Sequence, residues 1–172
     1  MFLDKYEKQI LEDNNTIFGI IYRNYQSKRR EVELFKIAKA CRKNGKKLFV
    51  SNDVNLAVKI KAEGIYIPAF NKSKRYYNLE NKNLIILGSA HNQIEIKKKI
   101  EQNCSVIFLS PLFYIKKKNK FLGMHKFNYL THANKIKIFA LGGITQNNVN
   151  KLNLINISGF GGISLFKKKT GL

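Results

Sequence analysis

Short, nearly unbroken runs of apolar residues alternate along this chain with lysine-rich stretches whose apolar positions recur at helical spacing. The runs are TIFGIIYRNY at 16–25, KKLFVSN at 46–52, GIYIPAF at 64–70, NLIILGSAH at 83–91, SVIFLSPLF at 105–113, KIFALGGIT at 137–145 and SGFGGISLF at 158–166. A strand with one face in water alternates apolar with polar residues. A strand covered on both faces reads as a continuous apolar run, as in the parallel sheets of α/β proteins. The pattern therefore predicts seven buried strands. Between them, REVELFKIAKACRKNG, DVNLAVKIKAEG, NQIEIKKKIEQN and TQNNVNKLNLIN carry the helical pattern, with Gly45 and Gly64 as stop signals for the first two. A further helix is predicted near 124–131.

Strand–helix alternation at a spacing of roughly 20 to 30 residues builds right-handed βαβ units, which close into a barrel or stay open as a doubly wound sheet. Two features favour a TIM-type (β/α) barrel. Polar or small residues end nearly every strand, at Arg23, Asn24, Ser51, Asn52, Ser89, His91, Ser110, Gly142, Gly143 and Ser164, and no GxGxxG or Walker motif follows the first strand. The whole of 1–172 reads as one such domain. Only Met1 to about Asn15 precede the first run, and they look helical; KKKTGL after Phe166 is short for a closing helix. The expectation is a barrel lacking its first strand and most of its last helix. A second copy of the chain would then cover the open edge as a homo-oligomer.

The late turns FALGGIT and GFGGIS put glycine at consecutive strand ends, where backbone N–H groups can approach an oxyanion closely. A helix start at Thr145 would add its positive end, and barrels commonly hold phosphate with these last two loops. These two turns, with Gly142, Gly143 and Gly162, are the expected phosphate cradle. Arg23 ends an apolar strand and needs an anion or a carboxylate beside it. The loop SPLFYIKKKNKFLG brings Lys116, Lys117, Lys118 and Lys120 over the same end. His91, in GSAHN, reads first as a hydrogen-bonded structural histidine and second as an acid or base. Strand ends carry no carboxylate pair for a divalent cation, and Asp53 is the single weak metal candidate.

Composition adds one large fact, 32 Lys+Arg against 11 Asp+Glu, a net charge of +21. Such a surface attracts polyanions of any kind, phosphorylated metabolites and nucleic acid among them. The excess is mostly lysine, accompanied by many Asn and Ile, and aromatic residues do not interleave with arginine as a base-stacking platform requires. Nucleic-acid binding is therefore the last of the readings. Cys41 and Cys104 lie far apart, outside any CxxC, and read as small core hydrophobes. No apolar run is long enough to span a membrane and the acidic N-terminal stretch is unlike a signal peptide, so a cytoplasmic protein is expected.

With the strand ends laid out, the motif order from Thr16 to about Phe166 is similar to that of the thiamine phosphate synthase/TenI family of TIM barrels. That family shows a strand ending in QLREK, here IIYRN; an NDxVxLA segment, here SNDVNLA; a GxSAHN strand end, here GSAHN; a GPxFxTxxK loop, here SPLFYIKKK; and an A-GGI strand, here ALGGI. The resemblance implies a transferase of thiamine biosynthesis that joins an aminopyrimidine diphosphate to a thiazole phosphate with Mg²⁺. It implies catalytic roles for Arg23, Ser89 and Lys118, a ligand-binding role for Asn52, and a thiazole-phosphate cradle at Gly143, Gly162, Ile163 and Ser164. The alternative within the same pathway is a noncatalytic barrel that binds or senses phosphorylated thiazole, pyrimidine or thiamine phosphate. Against the family pattern, Asn52 and Asn71 stand where two metal-binding aspartates are expected. Ile115 replaces the loop threonine, Pro68, Ala69 and Phe70 replace a glutamine-rich loop, and Pro111 stands at the histidine of the TenI branch.

Overall fold

The computed structural model describes residues 1–13, 19–76, 79, 83–116 and 120–166, with the backbone alone for Ser164. Eight strands follow one another in a single parallel sheet whose spatial order is the chain order: β1 Phe2–Leu3, β2 Ile20–Tyr22, β3 Leu48–Ser51, β4 Gly64–Ile67, β5 Ile85–Ala90, β6 Val106–Leu109, β7 Lys137–Leu141 and β8 Gly159–Gly161. Each of the seven predicted runs contains one of them. The helices are α1 Lys8–Leu11, α2 Arg30–Lys43, α3 Val54–Lys59, α4 Gln93–Glu101 and α5 Gly123–His132.

The expectation of a missing first strand is corrected. Phe2 and Leu3 pair with Ile21 and Tyr22 of β2, and the Phe2 N–H donates to the Gly162 carbonyl across the seam to β8 at 3.3 Å. The sheet thereby comes round on itself. Two apolar residues beside Asp4, Lys5, Glu7 and Lys8 are too short a run to register as a strand by pattern. The closing helix expected to be truncated falls on 167–172, outside the described residues.

Why the runs are apolar on both sides is visible in the two clusters that the strands separate. Phe2, Ile21, Phe49, Tyr66, Leu87 and Phe108 fill the barrel interior, while alternate strand residues such as Ile20, Tyr22, Val50, Ile65, Ile86 and Ile107 pack outward against the helices. Interior rings meet edge to face, Phe2 on Tyr66 at 5.3 Å, Phe2 on Phe108 at 5.5 Å and Phe108 on Phe139 at 5.4 Å between centroids. The glycines of β8 make room for them: a Cβ on Gly161 would lie 2.9 Å from the Phe108 ring and one on Gly159 2.8 Å from Phe139.

The segment after β7 departs from prediction. Instead of an α-helix from Thr145, a turn leads into a short 3₁₀ stretch, Val149–Leu154. The asparagines explain this: Asn148 Oδ1 accepts from the Thr145 N–H at 2.8 Å and its Nδ2 donates to the Gly143 carbonyl at 2.8 Å. Such side chains offer the backbone partners that compete with helical ones.

Candidate functional site

At the C-terminal ends of the strands lies a cavity of about 390 Å³ whose walls include Arg23, Leu141, Gly142, Gly143, Ile144, Gly161, Gly162 and Ile163. Both glycine turns thus face one space. Gly142 and Gly143 adopt φ of 91° and 72°, a backbone that side chains rarely take. The turn also presses on the loop after β6, since a Cβ on Gly143 would come within 2.6 Å of the Phe113 carbonyl oxygen. The carbonyls here are committed: Gly142 accepts from the Phe113 N–H at 3.1 Å and Gly143 from Asn148. Among the described residues, the N–H groups of Gly143, Ile144, Gly162 and Ile163 donate to no protein acceptor. Four unspent donors around one cavity make a place for an anion. With no α-helix starting at Thr145, these amides act without the expected helix dipole.

Arg23 lines the same cavity. Its Nε lies 3.4 Å from Asp4 Oδ1 and its guanidinium stacks 5.5 Å from the Phe2 ring centre. The pair with Asp4 is long and half exposed, so it is easily exchanged for a ligand anion.

Other predicted residues are placed elsewhere. Ser89 is buried beside Tyr66 in the barrel and is not among the residues lining the mouth cavity. His91 is structural by geometry, its Nδ1 meeting the Ser110 carbonyl at 2.6 Å. Asp53, the weak metal candidate, caps α3 by accepting from the Leu56 N–H at 3.0 Å, and its second oxygen meets Arg30 Nη1 at 3.3 Å. Both oxygens are spent on structure. Lys118, with Lys117, lies outside the described residues; Ser164 opens a short 3₁₀ turn. Cys41 and Cys104 are free and buried, and burial pushes each thiol up to about 12, as inert core residues require.

A cluster that the pattern did not reveal surrounds Asn52. Its side-chain oxygen accepts from Asn71 Nδ2 and from the Tyr76 hydroxyl at 3.1 Å. The same hydroxyl accepts from Asn71 Nδ2 at 2.9 Å and from Arg75 Nη2 at 2.9 Å. Beneath it the ammonium of Lys99, 1% exposed, donates to the carbonyls of Pro68 and Asn71 at 2.9 and 2.7 Å and to Gln102 Oε1 at 2.7 Å. Gln102 in turn donates to the Asn71 and Ser73 carbonyls. A lysine is no signal of burial, and the one hint in its pattern is its place three residues after the buried Ile96 on α4.

A second cavity, of about 870 Å³, opens at the opposite end among Ile21, Phe49, Leu87, Phe108 and Phe139. Its walls at Gly19 and Phe166 adjoin segments outside the described residues.

An eight-stranded parallel α/β barrel with two glycine turns lining one cavity at its last two strand ends is the class of protein that fold and site define. Comparison with known proteins narrows the class. A family model described as thiamine monophosphate synthase matches residues 6–166, and the chain belongs to that family. A thiamine-phosphate synthase of Prochlorococcus marinus subsp. pastoris is 33% identical over 129 residues, covering 73% of this chain and 37% of that protein. One from Pediococcus pentosaceus is 28% identical over 180 residues, covering 99% and 83%. In fold, the chain is similar to a thiamine phosphate pyrophosphorylase from Pyrococcus furiosus, with a TM-score of 0.78, 18% identity, and coverage of 94% of this chain and 80% of that one. Among the described residues no helix is long and apolar enough to cross a membrane.

The family implies Mg²⁺, and the residues present do not fit it. Where the resemblance calls for two carboxylates, Asn52 and Asn71 stand hydrogen-bonded to each other. A neutral amide oxygen already taken by two donors is a poor ligand for an ion that favours carboxylates. Among the described residues no group of three His, Cys, Asp or Glu side chains converges to hold a metal.

Proposed function

We propose that this chain holds a phosphate monoester of thiamine biosynthesis, thiazole phosphate or thiamine phosphate, between its last two strand ends. The observation that carries the reading is the shared cavity: two glycine turns, distant in sequence, line one space with four unspent amides and Arg23 at its edge. The phosphate dianion is received by the N–H groups of Gly143, Ile144, Gly162 and Ile163, which have no protein acceptor to give up among the described residues. Lys118 and Ser164 join this reading through the resemblance alone.

The reaction proposed is that of the family. A thiazole nitrogen forms a C–N bond to the pyrimidine methylene carbon as the C–O bond to the diphosphate breaks, and the bonding pair leaves with pyrophosphate. Arg23 meets negative charge at the mouth, and the barrel interior, closed by Tyr66 and Phe108, keeps water from the developing cation.

One observation favours a second reading, a noncatalytic holder of the same ligand: the two amides at the expected metal positions are tied to each other. Calorimetric titration with thiazole phosphate and thiamine phosphate, followed by turnover with both substrates, separates the two. Binding with product formation supports the synthase reading. Binding without product supports the holder, and failure of both ligands to bind overturns both.

A further inference from the structure

Three features of the molecule are unexplained by the phosphate cradle: the apolar cavity at the far end, the buried Lys99, and the Arg75 side chain with the polar cluster it touches. The first continues into undescribed segments, and the second is engaged wholly within the protein. The third is an exposed cation fixed in place with donors to spare.

We propose that Arg75, seated on Tyr76 beside the Asn52–Asn71 amide pair, is an anion-binding group that stands in for a divalent cation, so that this end of the barrel takes a diphosphate without metal. The placement of the ligand at this end rests on the reading above; the choice of cation does not.

The network is directional. Asn71 Nδ2 and Arg75 Nη2 both donate to the Tyr76 hydroxyl, whose own proton is then directed to Asn52 Oδ1. Asn52 Oδ1, both polar atoms of the Asn71 amide and the Tyr76 hydroxyl are all partnered, and an ordered chain of this kind resists rearrangement. The guanidinium also lies over the Tyr76 ring, 5.1 Å from its centre. Of its donors only those on Nη2 are engaged among the described residues, which leaves Nε and Nη1, one edge of a planar fork, for phosphate oxygens.

Charge supports the assignment. Asp53 is close enough to act on Arg75, yet its oxygens are already taken by the Leu56 N–H and Arg30. Lys99 places a second fixed positive charge 2.7 Å from the Asn71 carbonyl with no carboxylate among its hydrogen-bond acceptors. The two built-in cations repel a metal ion and attract its usual anionic partner, and the two neutral amides carry no negative charge to offset them. Asn52 has φ of 60°, a conformation that Asn and Asp both tolerate, so backbone geometry does not explain why an amide occupies the position.

The test uses the full chain and inorganic pyrophosphate, titrated calorimetrically in EDTA and again in excess Mg²⁺. Affinity is expected to agree within about threefold between the two conditions. Arg75→Ala is expected to weaken it by about tenfold or more, the loss of a charge-assisted bond, with Arg75→Lys in between. Thiamine phosphate affinity should not change in Arg75→Ala. In parallel, Mn²⁺ is followed by electron paramagnetic resonance: the natural chain should leave the free-ion signal intact, and Asn52→Asp/Asn71→Asp should quench it. Should the double variant fail to fold by circular dichroism, Asn71→Asp alone serves. Pyrophosphate binding that requires Mg²⁺, indifference to Arg75→Ala, Mn²⁺ uptake by the natural chain, or no uptake by the carboxylate variant each overturns the proposal. Metal-free pyrophosphate binding together with no thiamine phosphate binding would instead overturn the cradle reading and leave Arg75 standing.

Discussion

Gly88 of β5 is bare where the stem of Lys99 crosses it. A Cβ at that position would lie 2.9 Å from Lys99 Cδ and 2.7 Å from Cys104 Sγ. The glycine of GSAHN thus serves packing: it lets a lysine on α4 lie flat against the sheet and reach the loop after β4.

Gly88→Ala is therefore expected to destabilise the fold by about 1–3 kcal/mol through overpacking. Adding Cys104→Ala removes the nearest obstacle, so the double variant should be more stable than the sum of the two single effects. Urea denaturation of the four proteins checks this, and strict additivity would place the crowding elsewhere.

Lys99 gives stability a pH signature. Burial pushes its ammonium down from 10.5 to about 8. Between those values the unfolded chain binds more protons than the folded one, so this group's contribution to stability rises with pH through the window; below pH 8 the full cost of burying the charge is present. Lys99→Met has no such group. The stability of the natural chain relative to Lys99→Met should grow by roughly 1–3 kcal/mol from pH 7.5 to 10 in denaturant titrations. The same substitution leaves the Pro68 carbonyl without its bond, so hydrogen exchange across 68–73 should quicken at every pH.

Asp53 distinguishes a cap from a ligand. Asp53→Ala removes the acceptor for the Leu56 N–H and is expected to cost about 1 kcal/mol, whereas Asp53→Asn keeps the cap and should cost less than half of that. Thermal unfolding measures both. If added Mg²⁺ stabilises the natural chain and not Asp53→Asn, the carboxylate is a metal ligand after all.

Much of the barrel was legible because covering a strand on both faces leaves a plain mark, an unbroken apolar run, and seven runs became β2 to β8. Phe2 and Leu3 left no such mark, being two residues in a charged stretch. The segment after Thr145 misleads because Val149, Leu152 and Ile155 recur at helical spacing while Asn148 caps and diverts the chain. At the site, the glycine turns were legible since few other reasons place paired glycines at successive strand ends. Ser89 was not, because a hydroxyl at a strand end can point into the mouth or down into the barrel. Lys99 on α4 was hidden by its own chemistry: Ile94 and Ile100 look like the buried face and are 74% and 45% exposed, while the lysine is inside. Only three waiting acceptors, invisible in sequence, make that arrangement stable.

The amides of the two glycine turns can be watched directly. Titrating ¹⁵N-labelled protein with thiamine phosphate, the N–H signals of Gly143, Ile144, Gly162 and Ile163 should shift together and saturate at one dissociation constant. Shifts confined to the surface lysines, with those four signals unmoved, would contradict the phosphate cradle.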